Sequence, residues 1–293
     1  MRTLLLFILV VAATFLAGAF LSCPAYMILS LFSEVRFYKV FHFSILVTGI
    51  LLGLHYLTAS NQASVLGLDL PRQRVWRYIT CGFGGGLVII VVVQSCLFFL
   101  GMRQIDPDLH QGLPALGRAV IVAMLSGVVV GITEEMLFRG VIFTGLARYS
   151  GRLYALIVSS AFYSAVHFLD FRNLPQGTAI NWLTGVSALG SLFSRFGDPL
   201  IYDSFLSLFT LGILFGLVRW HTGNIVLCAG LHAGIVTVNK IFSYAVDYRP
   251  GGSYNFLVNV YDNTTGYLAT FWLVLACFIY HHFYMRAQSG SRH

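Results

Sequence analysis

Apolar runs long enough to cross the hydrocarbon core of a bilayer, roughly 17 to 25 residues each, begin near Leu4, Phe41, Tyr78, Arg118, Leu153, Phe205, Asn224 and Tyr267. Backbone in lipid has no water to bond with, so each run must close its own hydrogen bonds as a helix or join a closed barrel. Barrel strands alternate apolar and polar residues, and none of these runs does. The expected fold is therefore all-α, a polytopic membrane helical bundle of about eight transmembrane helices, forming a single integral-membrane domain over residues 1–293. Composition agrees: 57% of the residues are hydrophobic and 10% are charged, against about 25% charged in soluble domains. Mean hydropathy is +0.79.

Arg2 ahead of the first run imitates a signal peptide, yet no small-x-small cleavage site follows, and Phe20-Leu21-Ser22-Cys23 is a poor lipobox; a retained helix is expected, kinked or ended by Pro24. Basic residues favour both termini on the cytoplasmic side, with Arg2, the trio Arg72, Arg74 and Arg77, Arg148, Arg152, Arg219 and Arg286 inside. The net charge of +7 then reads as retention signals and attraction to anionic lipid, with no call for nucleic acid. Cys23, Cys81, Cys96, Cys228 and Cys277 sit singly without C-x-x-C spacing, which predicts free thiols. The cluster Gly82, Gly84, Gly85 and Gly86 has no strand before it and no lysine after it, so helix packing is the reading rather than phosphate binding. The pairs Gly127 and Gly131, Gly212 and Gly216, and Gly230 and Gly234 permit close helix approach and mark their helices as inner members of the bundle.

One run carries charge. "GITEEMLFRGVIF", Gly131 to Phe143, sets Glu134, Glu135 and Arg139 in an apolar stretch, where each charge costs roughly 2.5 to 3.5 kcal/mol at the bilayer centre. Such groups face a protein interior or a wet cavity. Glu135 precedes Arg139 by four residues, the favoured order for a helical ion pair. Glu134 points about 100° away and is the carboxylate left to face another helix or a cavity. His167 ends "SSAFYSAVHF" and His232 lies in "CAGLHAGIVTVNK", both on apolar spans that flank the glutamates in sequence. His42, His55, His281 and His282 couple to no other ionisable residue in the sequence and read as structural or interfacial.

Glu134-Glu135-x-x-x-Arg139, an aromatic-x-x-x-His ending at His167, and the later His232 together resemble the CPBP family of intramembrane glutamic proteases, which includes the type II CAAX prenyl endopeptidases and bacteriocin-processing or self-immunity proteins. The likeness covers a core of about residues 118–240. Two positions depart from the pattern. Tyr163 stands where the second motif has phenylalanine, and Val236 stands where the last has asparagine or aspartate. Asn239, about two turns beyond His232, is the candidate polar replacement for the oxyanion.

The resemblance implies an endopeptidase acting on a membrane-associated or lipidated protein or peptide. Glu134 would be the general base on water, with His167 orienting that water or sharing its proton. His232 would donate to the oxyanion, while Glu135, Arg139 and Tyr163 support the site. No cofactor and no metal are expected, because H-E-x-x-H spacing is missing and adjacent glutamates diverge. The alternative is a catalytically silent membrane scaffold, immunity factor or transporter on the same fold. The expected place is the cytoplasmic membrane of a bacterium. Finally, Leu169 to Asp203 is long for a connection and broken by Pro175, Gly177, Gly185 and Gly190, yet Trp182, Leu183, Val186, Leu189 and Leu192 give it an apolar side. It is expected to be either a re-entrant or interfacial segment that caps the cavity and controls substrate access, or a solvated loop that merely connects.

Overall fold

The computed structural model describes residues 2–59, 67–106, 113–172, 179–249, 252–259 and 262–290; Pro175 and Gly177 lie outside them. The apolar runs form helices α1 (Arg2–Ser30), α2 (Phe37–Ala59), α3 (Arg72–Phe99), α4 (Leu113–Glu135), α5 (Phe143–Ser150), α6 (Arg152–Val166), α7 (Thr184–Ala188), α8 (Tyr202–Thr222), α9 (Val226–Ala245) and α10 (Tyr267–Gly290). A π-helical segment, Met136–Ile142, joins α4 to α5 in one rod. Short 3₁₀ turns extend α7 through Leu189–Gly197 and lead into α8 at Pro199–Ile201. Seven helical stretches among the described residues are long and apolar enough to cross a membrane. The eighth expected span, α6, has only 15 residues, about 22 Å at 1.5 Å per residue, short of a hydrocarbon core of about 30 Å. Pro24 does not end α1, which continues to Ser30. A three-residue antiparallel ribbon, β1 (Arg103–Ile105) with β2 (Val246–Tyr248), departs from the all-helical expectation at one end of the bundle.

Helix α9 lies between α3 and α4, and small residues set both contacts. A side chain added at Gly86 would meet the Leu231 carbonyl at 2.1 Å, and one at Gly234 would meet the Phe83 carbonyl at 2.3 Å. On the other face, a side chain added at Gly131 or Gly127 would meet the Ala229 or the Ala233 carbonyl, at 2.7 and 2.6 Å. Such approach leaves dispersion to hold helices that lipid would otherwise separate. Helix α8 ends at Gly223, whose φ of 70° is left-handed, and the Asn224 side chain accepts from the Val226 N–H at 3.0 Å. "TGN" thus turns α8 directly into α9. The main core sits where the π segment, α6, α8 and α9 meet, around Phe138, Tyr163, Phe215, Val218, Cys228 and Leu231. All five cysteines are free.

Candidate active site

Glu134 and Glu135 are the last residues of α4 before the helix widens. In the π segment the Phe143 N–H reaches back to the Phe138 carbonyl, five residues away, and such turns recur at functional sites. The Arg139 carbonyl accepts from Thr144 Oγ1 and from Arg219 Nε, each at 3.2 Å. Arg219 is buried and clamps the widened turn from α8. The sequence had placed Arg219 among the cytoplasmic anchors. Its position inside an apolar run, like that of Glu134, was the signal that it belongs to the interior.

The two glutamates divide as their helical angle dictates. Glu135 is completely buried; its Oε1 accepts from Arg139 Nη1 at 3.1 Å and from His232 Nδ1 at 2.9 Å. Arg139 also donates to the Gly212 carbonyl at 3.2 Å. Its guanidinium lies 4.5 Å from the Tyr163 ring and 4.9 Å from the Phe215 ring. Charge, hydrogen bonds and ring faces together satisfy an ion pair that burial alone would make costly.

Glu134 faces a cavity of about 1060 Å³ bounded by α1, α2, the α4 rod and α6. Its Oε2 lies 3.9 Å from His167 Nε2 and 3.8 Å from His232 Nε2, and it accepts no hydrogen bond from the described residues. Those separations exceed a direct hydrogen bond and suit a group bridged by one shared water.

Backbone and carboxylate partners orient both imidazoles. His167, at the end of α6, holds Nδ1 at 2.8 Å from the Tyr163 carbonyl. A carbonyl only accepts, so Nδ1 carries a proton and Nε2 is the nitrogen turned toward Glu134. His232 directs Nδ1 to Glu135 in the same way, and its ring stacks on Phe215 at 5.2 Å. Carboxylate-held imidazoles of this type have a defined ring orientation.

The structure brings together Glu134, Glu135, Arg139, Tyr163, His167 and His232. His232 is nearly buried, its side chain 5% exposed, with Nε2 beside Glu134 and Nδ1 on Glu135. Asn239 is placed differently from expectation. Asn239 is not at the site: its Oδ1 accepts from Gln94 and Thr264 at 3.4 and 3.3 Å, in a polar cluster that ties α3, α9 and the approach to α10. Two turns along α9 carried it past the cavity. Val236 does not line the cavity either. His42 was read as uncoupled, yet it lines the cavity with Glu134 and His167. Nothing in sequence spacing relates α2 to α4. His281 likewise meets another imidazole, His221, at 5.6 Å. Among the described residues, no group of three His, Cys, Asp or Glu side chains is arranged to hold a metal.

Fold and site define a polytopic helical membrane protein with a paired-glutamate, two-histidine cluster beside a cavity among its helices. Residues 116–238 match the family described as Type II CAAX prenyl endopeptidase Rce1-like, in keeping with the resemblance carried by the motifs. The match implies a protease. It runs from α4 into α9 and contains the assembled site residues; α1, α2, α3 and α10 lie outside it. Comparison with curated proteins and comparison with solved structures each find no match.

Proposed function

We propose that the chain is an intramembrane endopeptidase that hydrolyses a peptide bond of a membrane-associated or lipidated protein or peptide with water activated by Glu134. The observation that carries this is the Glu134 carboxylate on the wall of a large, mostly apolar cavity, with the Nε2 atoms of His167 and His232 at 3.9 and 3.8 Å. A water held between Glu134 and His167 gives its proton to the carboxylate as its oxygen attacks the substrate carbonyl. Collapse of the tetrahedral adduct breaks the C–N bond, and the leaving amine takes that proton from Glu134. His232, oriented by Glu135, lies against Glu134 through Nε2. The reading is metal-independent and needs no cofactor. We place the protein in the cytoplasmic membrane of a bacterium with both termini cytoplasmic, which the basic residues favour.

The test is cleavage, in detergent, of a quenched fluorescent peptide bearing a farnesylated cysteine, beside the same peptide without lipid. Folded Glu134→Gln and His167→Ala variants should lose turnover by several orders of magnitude. Full activity in either would overturn the glutamate mechanism. Strong chelators should leave the wild-type rate unchanged; inhibition reversed by zinc would instead make Glu134, His167 and His232 metal ligands. Tight binding without cleavage of either peptide would favour the silent-scaffold alternative.

A further inference from the structure

One end of the cavity that holds Glu134 is cationic. Tyr38 and Lys39, in the first turn of α2, line it together with Arg172, which stands five residues beyond His167. The Arg172 guanidinium lies 5.6 Å from the Tyr38 ring, so cations from two separate elements reach the same level of the bundle. Asp170 is already engaged: it pairs with Arg195 at 3.2 Å and accepts from the Arg172 backbone N–H at 3.2 Å. Among the described residues, no carboxylate forms an ion pair with the Lys39 ammonium or the Arg172 guanidinium. A helix N-terminus is itself partly positive, so a lysine in the first turn meets like charge there. Lys39 adds to that field, and an anion is the group that would satisfy it.

Helix packing sets how far this charge stands from the glutamate. A side chain added at Gly49 would meet Leu137, and one added at Gly53 would meet Val141, so α2 and the α4 rod run in the same direction and in step. Carried three residues back, that register puts Leu46 level with Glu134. Lys39 is seven residues before Leu46, or about 10 Å along the axis at 1.5 Å per residue. Extended peptide covers that length in roughly two to four residues, given the reach of the side chains. On the other side of Glu134 the cavity continues past Gly49, Gly53 and Val141 and is apolar there. A chain lying along it would thus have one charged end and one hydrophobic end.

We propose that Lys39 and Arg172 form a specificity subsite that binds a carboxylate of the substrate, roughly two to four residues from the peptide bond presented to Glu134. The proposal rests on the hydrolytic reading of Glu134. Arg172 supplies a planar fork that can hold both carboxylate oxygens while lying over Tyr38, and Lys39 supplies a point charge beside it. The carboxylate is the substrate's own C-terminus or an Asp or Glu side chain; charge and distance are what the subsite selects.

The test uses three fluorescent peptides of one apolar sequence: the free C-terminal acid, the C-terminal amide, and the amide with a glutamate near its end. Their binding to folded Glu134→Gln protein in detergent is followed by anisotropy, which needs no turnover. The free acid or the glutamate peptide should bind at least about tenfold more tightly than the plain amide, as a charge-assisted contact requires; whichever does so identifies the source of the carboxylate. Lys39→Gln and Arg172→Gln, each added to Glu134→Gln, should cut that preference severalfold, and together they should bring it near parity, whereas Lys39→Arg should keep it. With Glu134 intact, the same glutamine variants should raise KM for the favoured peptide about tenfold with kcat within about twofold, the mark of a lost ground-state contact. Equal affinity for all three peptides would overturn the proposal. So would equal weakening of all three by the variants; if that weakening appeared only in phosphatidylglycerol nanodiscs, the two cations would belong to lipid phosphate instead. Cleavage that survives Glu134→Gln would overturn the reading beneath the proposal, while the binding preference would still decide the subsite.

Discussion

At the scale of single residues, Glu134 and Glu135 have opposite environments one position apart. Glu135 is sealed against Arg139 and His232, while Glu134 keeps 18% of its side chain accessible on the cavity wall. The pair Glu135 and Arg139 can be dissected, because removing one member of a buried pair leaves the other charge uncompensated, at a cost of about 3 to 5 kcal/mol. Arg139→Met should therefore lower the thermal unfolding midpoint measured in detergent. The double replacement Glu135→Leu with Arg139→Met should recover much of that stability, since hydrophobic groups substitute well for buried pairs. It should stay inactive, because His232 Nδ1 loses its acceptor. Recovery of turnover along with stability would show that Glu135 serves the fold alone. Arg139→Lys should not rescue either property: one ammonium cannot reach Glu135 and the Gly212 carbonyl while lying flat between Tyr163 and Phe215.

At the scale of elements, contact between helices is decided by which glycine faces a neighbour. Gly86 and Gly84 are two residues apart on α3, yet a Cβ at Gly86 would collide with the Leu231 backbone, and one at Gly84 would meet nothing within 4 Å. Gly86→Ala should accordingly destabilise the protein, because backbone on both sides must move. Gly84→Ala should be neutral or gain up to about 1 kcal/mol from helix propensity. Thermal unfolding of the two variants side by side checks this, and equal shifts would contradict the packing. The connection after His167 also separates into two faces. Val186, Leu189 and Leu192 pack inward with Phe37, Phe41 and Ile45, whereas Trp182, Leu183 and Phe193 stay exposed. Gly185 presses α7 onto the Ala19 carbonyl of α1. The ion pair between Asp170 and Arg195, 3.2 Å, stands at the polar end of the cavity and joins the segment to the stretch just after His167. If the segment gates substrate, Arg195→Gln should change KM and discrimination between lipidated and unlipidated peptide with kcat nearly constant, since a partly exposed pair contributes at most about 1 kcal/mol to stability. Unchanged discrimination in the folded variant would reduce the segment to a connector.

At the scale of the molecule, α9 is the axis on which the assembly is built. It packs on α3 through Gly230 and Gly234, on α4 through Ala229 and Ala233, and it carries His232 to the glutamates. The matched region carries Glu134, His167 and His232, while α1 and α2 supply further lining of the cavity, including His42. Substrate recognition is therefore expected to depend on helices outside the match. Orientation can be checked directly. Cysteine labelling from either side of the membrane should find the segment Arg72 to Arg77 and the C-terminus on the same, cytoplasmic face. Opposite faces would remove one crossing; α6, at 15 residues, is the helix whose crossing would then be in question.

Much of this protein was legible without coordinates because lipid leaves a chain few choices. Long apolar runs must be helices, an isolated pair of glutamates must find partners, and a spacing of four between Glu135 and Arg139 already defines their ion pair. Those are local constraints, set by hydrogen bonding and helical period. The side on which each partner stands is not local. That His232 meets both glutamates, that Asn239 joins Gln94 and that His42 from α2 shares a cavity with His167 depend on how helices far apart in sequence cross. Those crossings are set by glycine contacts between backbones and by a π turn that Arg219 holds open from another helix. Periodicity reports the angle of a side chain about its own helix axis. Only the packed bundle decides what lies along that angle.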